Sequence, residues 1–240
     1  MADNVKARIG FVSGGSSAMP HYNSFLPMVP QGIEIDFQGM QLYGKSLYEI
    51  SDKKDVILSR VKGYIAERKW DGLILTAAPT EVLNPGLYDA LAASLSIPFT
   101  TALHACVAAL RVYSKKRVLL LTPFDAQLND LICEHLGKFG ISALAPHPFQ
   151  ELAVPKRMTP DEVFELTQKS LSAATDIEAI YFQGAVLDPI KIIEKVETDL
   201  GLTVIASNPA MLWYVSSKLQ LAYPMAGYGR LMREWPALMP

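Results

Sequence analysis

At 240 residues, half of them apolar and 19% charged, the chain has enough interior for one compact unit or two lobes of about 100–120 residues, and it is not a disordered sequence. The 22 basic and 24 acidic side chains leave a net charge of −2 and a pI near 6.1, with no basic run to neutralise phosphates, which argues against nucleic acid as a partner. No apolar run reaches the roughly 18 residues that span a bilayer, and the first residues lack a basic-then-apolar leader, so a soluble, cytoplasmic protein is expected.

In chain order, strands are predicted at 8–13, 33–37, 72–76, 98–101, 117–121, 142–145, 179–182 and 203–206, each short, apolar and bounded by Gly, Pro, Ser or Thr. Helical patterns fall between them at 55–69, 87–95, 102–113, 126–139, 160–174, 189–200 and 209–219. Apolar strands alternating with amphipathic helices predict an α/β fold with parallel sheets covered on both faces. Thr159-Pro160-Asp161-Glu162 sets a cap, a first-turn proline and acidic residues in the order of a helix start, and Asp188-Pro189 does so similarly. If helix Ala102–Leu110 is an exposed apolar one, it is compatible with a homodimer without requiring it.

The elements also repeat. Asp71–Ala78 and Ile177–Gly184 each run from an apolar strand into a small-residue loop, 106 positions apart, and Ile97–Thr100 resembles Thr203–Ala206 at the same offset. Arg8–Val12 matches Arg117–Leu121 at an offset of 109. Two pseudo-symmetric lobes follow: 1–113, completed by 212–240, and 114–211, with the active site in the cleft between them. Ligands of open parallel sheets collect beyond the carboxyl ends of the strands, so the loops there carry the candidate residues.

Ser13-Gly14-Gly15-Ser16-Ser17 joins pliable backbone to hydroxyls, suited to a carboxylate or phosphate or to a plain strand-to-helix turn; it is neither a dinucleotide fingerprint nor a phosphate loop. Thr76-Ala77-Ala78-Pro79-Thr80-Glu81 sets two tiny residues and a hydroxyl at the strand exit, leaving room for a ligand beside the backbone, and Thr80 could equally cap a turn. Gln183-Gly184 offers an amide that donates and accepts. Thr122, Phe124 and Asn208 complete the ring, while Tyr228 and Arg230 bring a phenol and a carboxylate-forking cation near the C-terminus. No histidine stands at metal-ligand spacing, so no metal is expected, and His104 alone lies near the proposed cleft. Cys106 and Cys133 read as buried reduced thiols.

The two-lobed repeat, the hydroxyl-bearing first loop, Thr122-Pro123-Phe124 with Asn129, Ser207-Asn208-Pro209-Ala210 with Trp213, and Gly227-Tyr228-Gly229-Arg230-Leu231 together resemble the aspartate/glutamate racemase superfamily, most of all its arylmalonate decarboxylase and maleate cis–trans isomerase members. The resemblance implies a cofactor- and metal-free site that binds a small carboxylate between the lobes, with a cysteine after the third strand of one or both lobes. At the matching positions stand Ala77 or Ala78 and Gln183. Neither residue type can serve as an acid, which excludes a two-thiol racemase.

Two functions remain. One is a cofactor-independent lyase or isomerase of a small dicarboxylic or oxo acid, in which Ser16, Ser17, Thr80, Gln183 and backbone N–H groups stabilise an oxyanion and Glu81, His104, Tyr43 or Tyr48 carries the proton. The other is a non-catalytic carboxylate-binding or sensing protein that keeps the clamp.

Overall fold

Alternation of side chains along the strands decides the layering. In the computed structural model, which describes residues 5–16 and 23–239, β1 (Ala7–Ser13), β2 (Ile33–Gly39), β3 (Gly72–Leu75) and β4 (Phe99–Thr101) form one parallel sheet in the order β2-β1-β3-β4. β5 (Arg117–Leu121), β6 (Ser142–Leu144), β7 (Ala179–Phe182) and β8 (Thr203–Ala206) form a second with the order β6-β5-β7-β8, the same topology four strands later. One face of each sheet turns inward: Ile9, Phe11 and Ile74 from the first and Val118, Leu120 and Tyr181 from the second join a single central core. It is filled by α4 (Ala102–Val112), α5 (Ala126–Gly137) and α8 (Ser207–Lys218). The intervening residues face outward, Leu73 and Leu75 onto α1 (Lys54–Arg68) and α3 (Leu87–Ser94), and Leu119 and Ile180 onto α6 (Pro160–Ser172) and α7 (Ile193–Leu200). The period-2 pattern thus serves two cores at once, which is why the strands read as unbroken apolar runs.

Three sequence expectations change. α4 is apolar nearly all round and lies in the central core against α8, so Ala102–Leu110 is buried within this chain and offers no apolar face to a second copy. The helix expected over 189–200 is broken into a 3-10 turn, Pro189–Lys191, and α7. The reason is Asp188: its backbone is left-handed (φ 45°), and its carboxylate accepts from Ser24 Oγ at 2.7 Å and pairs with Lys191 at 2.7 Å rather than capping a helix. Thr159, by contrast, forms the full capping box with Glu162. Lastly, the 77–81 loop contains a short helix, α2 (Ala78–Val82), and the C-terminal segment adds α9 (Arg230–Glu234).

The strand register also corrects the repeat. Val12 pairs with Leu75, and Leu121 with Phe182, so with Val12 equivalent to Leu121 the third strands of the two lobes superpose at an offset of 107 rather than 106. Thr76 therefore matches Gln183, and Ala77 matches Gly184. The backbone agrees: Ala77 (φ 73°, ψ 114°) and Gly184 (φ 97°, ψ 130°) adopt the same unusual conformation, each just before a short helical turn. Glycine enters it freely, whereas alanine is strained there.

A side-chain strap links the sheets near their carboxyl ends. Tyr48, on the 3-10 turn Leu47–Ile50, donates its hydroxyl to both carboxylate oxygens of Asp125 at 2.8 and 3.0 Å, and Asp125 simultaneously caps α5 by accepting from Leu128 N–H at 2.9 Å. Burial and the Asp125 carboxylate push the phenol up to about 12, so it stays a donor. Tyr48→Phe is expected to lower unfolding stability by about 1 kcal/mol, read from denaturant melts, with an intact cap on α5.

Candidate functional site

The loops beyond the carboxyl ends of both sheets enclose a cavity of about 310 Å3, at the lower end of small-molecule sites. The first lobe supplies Gly15 and Ser16 after β1, the segment 43–47, and Thr76, Ala77 and Pro79 after β3; the second supplies Pro123 and Phe124 after β5, Leu152 and Lys156, Gln183 to Val186 after β7, and Ser207 after β8. The equivalent residues Thr76 and Gln183 thus face one space from opposite lobes. Close approach is needed on one side: a Cβ on Gly14 or Gly15 would come within 2.7 or 2.8 Å of the Tyr43 ring, so only glycine lets the first loop lie against that phenol.

The wall is electropositive. Among the described residues it carries Lys45 and Lys156, one from each lobe, and neither Asp nor Glu. Lys45 and Lys156 are exposed at its mouth. Deeper in, the Tyr43 phenol is raised above its ordinary value, by burial above all, although the Ser13 hydroxyl and the Gly15 backbone lie within hydrogen-bonding range. Gln183 is buried and accepts at Oε1 from the Tyr181 hydroxyl at 2.5 Å, while its Nε2 has no protein partner. Ser207 Oγ accepts from Gly184 N–H at 3.4 Å. Polar hydrogens thus converge on a cavity otherwise lined by apolar groups, an arrangement suited to an anion with an apolar body.

Of the sequence candidates, Ser16, Tyr43, Ala77, Pro79, Phe124, Gln183 and Gly184 line this cavity. Ser13 and Gly14 lie behind it, with Ser13 Oγ accepting from Gly15 N–H at 3.1 Å. Ala78 is buried beneath the wall, and Thr80 turns its hydroxyl onto the carbonyl of Thr76 at 3.2 Å, a helix back-bond rather than a ligand contact. Thr122 shapes its turn by donating to Asn129 Oδ1 at 2.5 Å and accepting from Phe124 N–H at 3.0 Å. Asn208 borders a hollow of only about 10 Å3 beside Asp188, and Tyr48 is taken up by the strap. Ser17 lies outside the described residues. Tyr228 and Arg230 are elsewhere: the Gly227-to-Arg230 backbone is held by Glu194 and Glu197, and the Arg230 guanidinium pairs with Glu234 at 2.8 Å above the Tyr113 ring. Their role in the fold is to lock α9 onto α7 and α4.

Glu81 and His104 belong to a second cavity of about 470 Å3 between α2, α3, α4 and α5. In a helix two residues lie about 200° apart, so α2 presents Pro79 to the cleft and Glu81 to the far side. There, burial pushes the Glu81 carboxyl up to about 7, and its Oε1 stands 3.7 Å from His135 Nε2. His104 is pushed down to about 4 by burial, then by Lys218, Arg111 and His135; its Nε2 lies 3.0 Å from the hydroxyls of both Tyr88 and Tyr214. His104 is held by its neighbours, whereas Glu81 Oε2 is buried without a hydrogen-bond partner, and both lie away from the cleft. The two cysteines do not line it either: Cys106 is buried in α4, its thiol pushed up to about 12 by burial, and Cys133 sits on α5. No group of three metal-ligating side chains occurs among the described residues, and no helix among them is long and apolar enough to cross a membrane.

Sequence reasoning placed Thr76 in the second loop but missed its equivalence to Gln183, which strand register gives, and it missed Lys45 and Lys156, whose surroundings in the sequence carry no positional signal.

Comparison with known proteins agrees with this fold. The arylmalonate decarboxylase of Bordetella bronchiseptica is 27% identical over 168 residues, which cover 63% of this chain and 64% of that relative's length. A glycine-to-cysteine variant of arylmalonate decarboxylase, solved in a sulfate-associated form, superposes with a TM-score of 0.78 at 20% identity, covering 94% of this chain and 99% of the other. A maleate cis–trans isomerase variant from Nocardia farcinica, solved with a covalently bound succinylcysteine intermediate, superposes with a TM-score of 0.73 at 19% identity, covering 95% and 98%. These two likenesses carry the fold. The family described as arylmalonate decarboxylase matches residues 80–232, more than half of the sequence, and the chain therefore belongs to the arylmalonate decarboxylase family.

Proposed function

We propose that the cleft binds a small dicarboxylic or oxo acid and processes it without cofactor, as a lyase or isomerase that stabilises an enediolate or related oxyanion and uses no thiol. The observation that carries this reading is the wall itself, which among the described residues holds two lysines and convergent neutral donors but no acidic side chain. Lys45 and Lys156 attract the anion and hold its distal carboxylate at the mouth. Gln183 Nε2 and the hydroxyls of Thr76 and Ser16 face the reacting carboxylate, while Phe124, Leu152 and Val186 give the leaving group an apolar surface. In a decarboxylation the C–C bond to the departing carbon dioxide breaks, its electron pair remains as the enediolate, and the Tyr43 phenol delivers a proton to carbon and regains one from solvent. The raised phenol suits it to remain protonated until that step. Among the described residues the wall holds no cysteine to carry an adduct like the succinylcysteine of the Nocardia isomerase, so this reading includes no covalent thiol step.

The test is turnover of malonate-type, maleate-type and hydroxy acids, followed by carbon dioxide release and NMR. Consumption of at least one is expected; no turnover by a folded protein overturns the catalytic reading. A second reading, carboxylate binding or sensing without chemistry, draws on a specific observation: among the described residues the wall holds neither Cys, His, Asp nor Glu, and its ionisable side chains are one phenol and two lysines. Under it, carboxylates raise the melting temperature by mass action, but the acidic C–H of a bound malonate does not exchange with deuterium oxide above background. Exchange above background eliminates it.

A further inference from the structure

We infer that Tyr181 is a positioning residue that holds the Gln183 carboxamide with its NH2 group turned into the cleft, so that this point of the wall selects a carboxylate oxygen over an amide nitrogen of the ligand. The inference rests on the carboxylate-binding reading and deepens it by naming what sets the polarity of the site.

A glutamine side chain presents an acceptor at one end of its amide and two donors at the other, so free rotation would let it recognise either polarity. Tyr181 removes that freedom. It lies two residues before Gln183 and therefore on the same face of the chain, is buried, and donates its hydroxyl to Gln183 Oε1 at 2.5 Å. The phenol oxygen in turn lies within hydrogen-bonding range of the Cys106 thiol, also fully buried. In this arrangement thiol, phenol and carbonyl form a chain in which each proton has an acceptor. The flipped amide would donate to the phenol, whose own proton would then be left with the Cys106 sulfur, a weak acceptor. The orphaned Nε2 gives the independent sign of a ligand: it is buried without a protein partner, and a buried donor is costly to leave unpaired. A ligand carboxylate oxygen satisfies it.

The experiment uses the full-length chain in two arms. In the ligand-free protein, 15N relaxation of the Gln183 side-chain amide should report a rigid group in the wild type and a mobile one in Tyr181→Phe; an unchanged order parameter overturns the lock. In the second arm, the dissociation constants of maleate and of its monoamide maleamate are compared. Maleamate also loses a charge to the lysines, so the quantity of interest is the change in ratio: the preference for maleate should fall about tenfold in Tyr181→Phe, the scale of one misdirected buried hydrogen bond. Gln183→Met keeps the length of the side chain without its donor and should show the same fall, which preserves the test if the tyrosine variant does not fold. A preference retained in either folded variant overturns the proposal. If the wild type binds neither maleate nor malonate, the carboxylate reading fails by itself, and the amide order parameter still decides the lock.

Discussion

Tyr43→Phe is expected to lower kcat by about 10²–10⁴-fold, the usual contribution of a positioned acid, with the KM for the same carboxylate moving by less than about threefold. Phenylalanine keeps the ring that Gly14 and Gly15 approach so closely, so the loop geometry survives and only the hydroxyl is lost. Among the described residues, no other side chain on the wall combines a proton held at neutral pH with a place deep in the cavity: the lysines sit at the mouth, and Glu81 and His104 face the second cavity. Because burial raises the phenol above its ordinary value, the wild-type rate should be flat from pH 6 to 9 and decline only at higher pH, as the phenol ionises. Initial rates of carbon dioxide release across that range measure both effects. A folded Tyr43→Phe enzyme with wild-type kcat removes the phenol from the mechanism.

The second large effect lies outside the cleft. Glu81 has a folded-state carboxyl near 7 against an ordinary value of 4.5, mainly from burial. A group whose pKa is raised by folding contributes stability that is fully present below its unfolded value and is lost as the pH rises through the folded one. The wild type should therefore lose about 3 kcal/mol between pH 4.5 and pH 7 from this residue alone, the equivalent of the shift at 1.36 kcal/mol per unit. Glu81→Gln, which cannot ionise, should become progressively more stable than the wild type across that window. His104 acts in the opposite sense: its pKa falls from 6.5 to about 4, so its contribution is present above 6.5 and lost as the pH drops toward 4. Subtracting the wild-type urea-melt profile from that of Glu81→Gln isolates the glutamate. A difference independent of pH between 4.5 and 8 would mean that the carboxyl is not titrating in that window.

The fold was legible because each lobe repeats the same apolar strands between well-marked helix starts, and hydrophobic runs are what parallel sheets require. All eight predicted strands occur, most with ends shifted by one or two residues. The lining of the cavity was legible mainly where a loop leaves a strand, as at Ser16, Ala77, Phe124, Gln183 and Gly184, with Tyr43 a few residues past β2. Three physical facts hid the remainder. Register is a property of strand pairs, so the alignment of Thr76 with Gln183 emerges only when Val12 is seen against Leu75 and Leu121 against Phe182. A five-residue helix is too short for periodicity to reveal, and α2 is what turns Glu81 away from Pro79. Lys45 and Lys156 are distant in sequence, and nothing local says that they flank one opening. Similarly, the buried state of Ala102–Leu110 depends on α8 arriving from more than a hundred residues downstream.

The continuous core between the sheets has a further consequence for ligand traffic. Ile9, Tyr181, Trp213 and their neighbours are packed as one body, so swinging the lobes apart like jaws would strip water-shielded surface from both halves at a prohibitive free-energy cost. A ligand of this cavity would instead enter over the rim, between Gly44, Lys45 and Ser46, whose N–H groups are held by the Glu49 carboxylate, and the segment that carries Lys156. Entry and exit would then fall to peripheral side chains and peptide segments, while the floor of the cavity keeps its dimensions.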